Sequence, residues 1–381
     1  MPAASSPPRS ETVVAAAVLA TVSSVLPGFL TGGLAVQISE EFDVSESIYG
    51  WALGSFFLAA TFGSVTLGRI AQRVPVRIMI SVLVLISATS QLVIAAFANS
   101  FALFIGCLAV CGFVNAGNQT AVNLLLGQAK LSRLGLAVAV KQSGMPGASM
   151  LAGLAVPAVA LTVGWRWAYA IAAVFAMMAA VGVRRLPTTT VSQQTSRVVS
   201  TRHELVLAAV AGALLAFAAG ALNSWTVTSG VDAGLSEGVA GLMLSVGAGS
   251  GIALRLAWGF HLDEMLHRPF AVAAATVAVG ALGMLLLGFR SPPAHVIATL
   301  LAFGGGWIWP VFTNFGIVRR NPDAAGAATG VTQMGVYGGV FSAPLITGWL
   351  IETQGYGVMW TVVAALAIAG ATVAWRVAEA F

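Results

Sequence analysis

Charge is what this sequence has least of: 8% of its 381 residues are Asp, Glu, Lys or Arg, against about 25% in ordinary soluble domains. Cysteine is nearly missing too. Cys107 and Cys111 are the only two, four apart in one apolar run with no His beside them. Two ligands cannot close a structural zinc site, and a single such pair is no disulfide framework. They read as small packing hydrophobes. The acids are few, and Glu11, Glu40, Glu41, Asp43, Glu46, Glu204, Asp232, Glu237, Asp263, Glu264, Asp323, Glu352 and Glu379 all sit in polar loops or at the ends of apolar runs. His203, His261, His267 and His295 do likewise. There is no Ser/His/Asp, metal or phosphate-loop constellation, and the polar loops are too short for a catalytic domain. The sequence therefore argues against an enzyme and implies no cofactor. A net charge of +5 spread singly or in pairs also makes no basic patch for nucleic acid.

What is abundant is apolar surface. Hydrophobic residues make up 58% of the chain, with 43 glycines and a mean hydropathy of +0.91. A soluble core cannot absorb this much, whereas a lipid bilayer tolerates Gly in its helices and takes the apolar faces. A spanning helix needs about 20 apolar residues. Runs of that kind centre near residues 25, 59, 87, 111, 147, 174, 215, 247, 278, 304, 338 and 366. Twelve spans are expected. Pro27, Pro146, Pro157, Pro310 and Pro344 fall inside them, which a membrane bundle tolerates because neighbouring helices satisfy the freed backbone groups. The first run, Thr12 to about Ile38, exceeds the roughly 7–15 apolar residues of a signal peptide and reads as a span.

The basic residues orient the chain. With an internal N-terminus, fourteen of the eighteen Lys and Arg lie on the cytoplasmic side; Arg166 and Arg290 lie outside, and Lys141 and Arg255 fall within spans. The positive-inside rule favours that topology, with both termini cytoplasmic in a multi-pass inner (cytoplasmic) membrane protein. The longest polar stretch, Arg184 to His203, sits at mid-chain. A shift of 191 residues across it aligns Gly68 with Gly259, Arg77 with Arg268, Asn123 with Asn314, and Gly164 with Gly355. The same shift aligns Gly135, Gln142, Gly144 and Gly147 with Gly326, Gln333, Gly335 and Gly338. Such internal repeats build many secondary transporters, with substrate bound between the repeats near midplane.

Over essentially its whole length the sequence resembles the major facilitator superfamily. The family pattern after the second span is Gly-x-x-x-Asp-Arg-x-Gly-Arg-Arg. Here the segment from Gly68 to Arg77 keeps Gly68, Arg73 and Arg77, with Gln72 in place of the acid and Pro75 in place of the second Gly. The copy from Gly259 keeps Asp263 and Arg268. The resemblance implies an all-α membrane protein of twelve transmembrane helices in two pseudo-two-fold-related six-helix bundles, residues 1–190 and 191–381, with a linker at about 184–203. It also implies a gating role for Gly68, Arg73, Arg77, Gly259, Asp263 and Arg268. Gly135, Gly144 and Gly153 in the fifth span fit part of a glycine motif of drug/proton antiporters, and small residues at that spacing equally serve close helix packing.

Polar groups inside spans mark function by default, since a charge at a helix centre costs at least about 2.5–3.5 kcal/mol. Lys141 lies about eight residues into the fifth span beside Gln142, which has Gln333 as its repeat-related copy. Either Lys141 faces a substrate cavity or its stem reaches toward water. Arg255, one turn before Gly259, invites the same two readings; its planar guanidinium suits a carboxylate. Asn115, Asn118, Gln119 and Asn123 fall on one face of the fourth span and read as cavity lining. Asn223 and Trp225, Trp307 and Trp309, and Tyr337 are further pocket candidates. With no acid buried among these cations, the cavity is electropositive and favours anions. The leading reading is a secondary transporter of a small organic anion, a carboxylate first of all, acting as a monomer with protons or a counter-anion as coupling partner. The alternative is efflux of drugs or hydrophobic compounds.

Overall fold

The computed structural model describes residues 10–71, 73–128, 134–184, 200–262, 268–321 and 325–380. Every regular element among them is helical. In order these are α1 (Ser10–Gly33), α2 (Ala35–Phe42), α3 (Glu46–Ala71), α4 (Val76–Phe97), α5 (Phe101–Gln128), α6 (Leu134–Gln142) and α7 (Gly144–Ala155). A π-helical turn (Val156–Ala160) and α8 (Leu161–Val163) follow, then α9 (Trp165–Arg184), α10 (Arg202–Asp232) and α11 (Glu237–Gly259). The remainder are α12 (Pro269–Leu287), α13 (Pro292–Gly306), α14 (Trp309–Arg320) and α15 (Ala325–Ala380). The expected linker at 184–203 falls largely on 185–199, outside the described residues, as do Gln72, Asp263 and Glu264.

Local chemistry sets the ends of these helices. Pro75 caps α4, and proline occupies the first turn of α12, α13 and α14, where a missing N–H costs nothing. Thr201 opens α10 with a capping box: its hydroxyl accepts from the Glu204 N–H, and the Glu204 carboxylate accepts from the Thr201 N–H. Both first-turn orphan donors are thereby satisfied.

Eleven helical stretches among the described residues are long and apolar enough to cross a membrane, where twelve were expected. The difference lies at the C-terminus. Ala328–Glu379 is one run of 52 residues, about 78 Å at 1.5 Å per residue, over twice the roughly 30 Å hydrocarbon core. Gly355 interrupts it with φ 80° and ψ 171°, outside helical geometry.

The repeat read from the sequence recurs in the backbone. Asp43, Gly164, Gly234 and Gly355 are the positive-φ residues among those described, and they form two pairs 191 apart (43 with 234, 164 with 355). Aromatic contacts repeat as well. The Tyr169 hydroxyl bonds Thr31 on α1, while Trp360, 191 residues later, donates to Ser229 on α10. Within the first half α1 packs on α7 and α3 on α5; α10 on α15 and α11 on α13 answer them in the second. Between halves, α3 packs against α15 and α7 against α11. The second contact is tight because both partners are glycines. A Cβ on Gly153 would overlap the Gly241 carbonyl and the Ser245 hydroxyl.

Two positions test the backbone reading. Gly164→Ala and Gly355→Ala should each destabilise the protein by about 1–3 kcal/mol, because φ > 0 with extended ψ is essentially closed to side chains. Gly68→Ala, whose Cβ would meet nothing within 4 Å, should hold or raise the melting temperature. Thermal unfolding of the three purified variants checks this.

Candidate functional site

The fourth-span stripe folds against α1. Ser24 donates to Asn115 Oδ1 at 2.9 Å. Asn118 Nδ2 donates to the Ala20 carbonyl and to Ser24 Oγ, each at 2.9 Å. Because its nitrogen is held by a carbonyl, Asn118 Oδ1 is fixed as the free end, and it has no partner. Gln119 donates to Asn115 at 3.4 Å while its own oxygen is unpartnered. All three amides are buried. Asn123, further along the same face, is exposed, near the end of α5. Thr120 turns back onto its own helix at Ala116.

Lys141 and Gln142 are both buried at the end of α6. Lys141 lies about 60° around the helix from Gly144, whose Cα faces Thr21 of α1. That places Lys141 on the face turned to α1, with no hydrogen-bond or acidic partner among the described residues. Gln142 lies about 60° from Ala139, which sits under Gly259 of α11. Gln142 Oε1 is buried without a partner, as is Thr21 Oγ1.

Arg255 points away from the near membrane face. It lies four residues before the end of α11, yet it does not reach to that end. Side chains lean toward the N-terminus of their helix, and for α11 that direction is the membrane middle. The guanidinium, 1% exposed, donates to the Trp307 carbonyl and lies 5.0 Å over the Trp307 ring. Trp307 stands at the break between α13 and α14, near the midpoint of the Pro292–Arg320 stretch. Its ring meets Phe29 of α1 at 5.7 Å, so Arg255 lies at the seam between the halves. Its Nε and Nη1 have no partner, and neither does the buried Trp309 Nε1 just beyond the break.

The Major Facilitator Superfamily family model matches residues 16–344. The chain belongs to the major facilitator superfamily. Among solved structures it is similar to the crystal structure of the human organic anion transporter MFSD10 (TETRAN). That match has a TM-score of 0.73 at 16% identity, covering 96% of this chain and 100% of the other. No curated protein matches the chain at a significant level. A polytopic major facilitator protein is a membrane transporter, and the helical, strand-free chain described above fits that family.

Other residues singled out in the sequence take different places in this facilitator fold. Asn223 accepts from Ser149 at 2.7 Å and donates to Ala219 at 2.8 Å, so its amide is saturated at the α7–α10 contact. Trp225 is buried and donates to Thr347 at 2.7 Å. Gln333 and Tyr337 are half-buried one turn apart on α15, which packs chiefly on α10, α3 and α12. His295, assigned to a span end, is there but wholly buried. Its Nε2 meets the Thr226 carbonyl at 3.3 Å. Nothing in the sequence marked that burial, because α13 is apolar on all sides.

Of the family loop residues, Gly259 is buried beneath α6, Gly68 is half-buried, and Arg73 and Arg268 are exposed. Arg77 opens α4 and lines a groove of about 310 Å3 with Ile78, Ser81, Val82 and Arg184. Asp263 lies outside the described residues. Gly144 and Gly153 of the partial glycine motif both abut neighbouring helices, which is the packing role.

Several hydrogen bonds among the described residues join the two halves at midplane or toward the end opposite the termini. Gln37 donates to Glu237 at 2.5 Å, the Ser47 N–H to Glu352 at 3.3 Å, and Ser245 to the Met150 carbonyl at 2.9 Å. At the same end Glu41 accepts from Trp165 at 2.6 Å and is ion-paired with Arg166. Burial opposes its ionisation, but the bonds from Arg166 and Trp165 outweigh this and hold its carboxyl below the usual range. A lowered folded-state pKa contributes stability that is present above the unfolded pKa and lost as pH falls through the folded one. Glu41→Gln should therefore flatten the acid limb of the melting-temperature profile below about pH 4.5 without creating a new one. A pH series of thermal unfolding reads it.

Proposed function

We propose that this chain is a secondary transporter that moves a small organic anion, a carboxylate first of all, across the cytoplasmic membrane by alternating access. The observation that carries it is Arg255: a guanidinium 1% exposed, turned to the membrane middle, with two nitrogens unpartnered. An unpaired buried charge is costly. A cation kept at the seam between halves makes sense when a substrate anion pairs with it. Lys141 is a second buried cation, and no carboxylate among the described residues pairs with either. That a structure of the same fold is named an organic anion transporter accords with this reading; its weight rests on the two cations.

The architecture proposed with it is twelve helices in two six-helix bundles, residues 1–190 and 191–381. The paired positive-φ residues and the Gly355 interruption support that count. Both termini are cytoplasmic, as the basic residues require, and the transporter acts as a monomer coupled to protons or a counter-anion. Arg255 is the main anchor, with Lys141, Gln142, Asn118 and Gln119 around the bound substrate.

The test is uptake or counterflow of carboxylates in proteoliposomes. Arg255→Gln and Lys141→Gln should each cut anion transport about tenfold or more, the worth of a charge-assisted hydrogen bond, with the fold retained by circular dichroism. Lys141→Arg should substitute poorly, since the two cations differ in geometry and hydration. Undiminished anion transport by both Gln variants would sink the anion reading and promote drug efflux in its place.

A further inference from the structure

Ten buried side-chain nitrogen or oxygen atoms among the described residues have no hydrogen-bond partner, and they divide by chemistry. In the first half of the chain all six are oxygens: Thr21 Oγ1, Gln37 Oε1, Gln91 Oε1, Asn118 Oδ1, Gln119 Oε1 and Gln142 Oε1. In the second half all four are nitrogens: Arg255 Nε and Nη1, His295 Nδ1 and Trp309 Nε1. Three of them stand apart from the rest. Gln37 lies beyond α1, at the end opposite the termini. Gln91 bonds Ser87 within its own helix. His295, whose Nε2 is spent on Thr226, sits in the first turn of α13.

What remains lies on helices that pack in sequence around one seam. Thr21, Asn118, Gln119 and Gln142 belong to α1, α5 and α6; Arg255 and Trp309 belong to α11 and α14. α6 packs on both α11 and α14, with Ala139 beneath Gly259, and Phe29 of α1 touches the Trp307 ring that Arg255 covers. For Asn118 the amide assignment is fixed, because its Nδ2 is tied to a carbonyl oxygen. Each orphaned buried polar atom costs about 1–3 kcal/mol. That cost, repeated at six residues along one seam, is a large expense for packing alone.

We propose that this seam is a two-ended seat, and that the substrate is an organic anion whose far end carries hydroxyl or N–H donors. The anionic group takes the donors of Arg255 and Trp309. The hydroxyl or N–H groups give their protons to the oxygens of Asn118, Gln119, Gln142 and Thr21. A substrate held this way bridges the two halves and belongs to the polyhydroxy or amide-bearing acids, while a plain alkyl carboxylate fits only one end. This rests on the anion reading above and narrows its substrate class.

The test compares matched acids with the purified protein by melting-temperature shift over a concentration series, which yields apparent affinities. The pairs are gluconate against hexanoate and quinate against cyclohexanecarboxylate. A site built to hydrogen-bond a hydroxyl rejects the analogue that lacks it, so the hydroxylated member of at least one pair should bind tenfold or more tightly. Gln142→Leu should shrink that ratio severalfold while leaving the plain acid's affinity unchanged, and Arg255→Gln should weaken both members. The melting temperature of ligand-free Gln142→Leu should hold or rise, because the change removes an orphaned polar atom; a fall would mean the amide is structural and would count against the seat. Equal or tighter binding of the plain acids overturns the two-ended seat and leaves the anion reading standing. Binding of neither member of either pair overturns both.

Discussion

Hydrocarbon offers no hydrogen bonds, and the architecture follows from that one constraint. Every polar group taken into the bilayer has to find its partner within the protein. The backbone does so by being helical across the described spans, and at the break after Gly306 the freed Trp307 carbonyl accepts from Arg255. Hydroxyl side chains do so by folding back onto their own helices: Thr31 onto the Pro27 carbonyl, Thr226 onto Leu222, Thr299 onto His295. These bonds cost the fold nothing between helices and leave packing to small residues. Against that background of local satisfaction, the groups that stay unsatisfied stand out. Arg255, Trp309 and the four oxygens opposite them break the rule together and in one place.

The repeat was legible in the sequence because glycine is irreplaceable at some backbone geometries. Gly164 and Gly355 match across the shift since both adopt φ > 0 with extended ψ, which a Cβ forbids. The companion pair was not legible as a match. Asp43 and Gly234 share a positive φ but not a residue type, because Asp tolerates the left-handed region well enough to stand in for Gly. The last two apolar runs differ from the others in how they join. Between them lies only the short polar segment Glu352-Thr353-Gln354-Gly355, and the chain passes from one to the other through the non-helical Gly355 alone.

The site was half legible. Polarity within apolar runs singled out Asn115, Asn118, Gln119, Lys141, Gln142 and Arg255, since hydrocarbon excludes amides and cations unless a partner or a ligand holds them. Direction was harder. Nearness to a span end suggested that Arg255 reaches for water, but the lean of side chains toward the helix N-terminus sends it the other way, and that signal was available from the span's orientation. The carbonyl it finds was not available, for it depends on where α13 stops, at Trp307 between a run of glycines and Pro310. Asn223 shows the limit of that signal, because a buried amide in a span looks the same whether it serves a ligand or a neighbouring helix.

The contacts between the halves bear on how such a seat could work. Between the halves, the hydrogen bond from Ser149 to Asn223 is worth about 0.5–1.5 kcal/mol net and that from Gln37 to the Glu237 carboxylate about 1.5–3 kcal/mol, and the glycine contact of Gly153 with Gly241 adds close packing. A few such terms hold the halves together by an amount that a ligand can match. A substrate that satisfies the guanidinium of Arg255 and the amides opposite it gains interactions only when both halves bear on it. Its binding free energy therefore favours states in which the seam is drawn together, and a ligand shifts a conformational equilibrium only by its differential affinity for the two states. Orphaned groups on both sides of the seam supply that difference. Satisfied groups such as Asn223 supply none, because their partners are already in the protein.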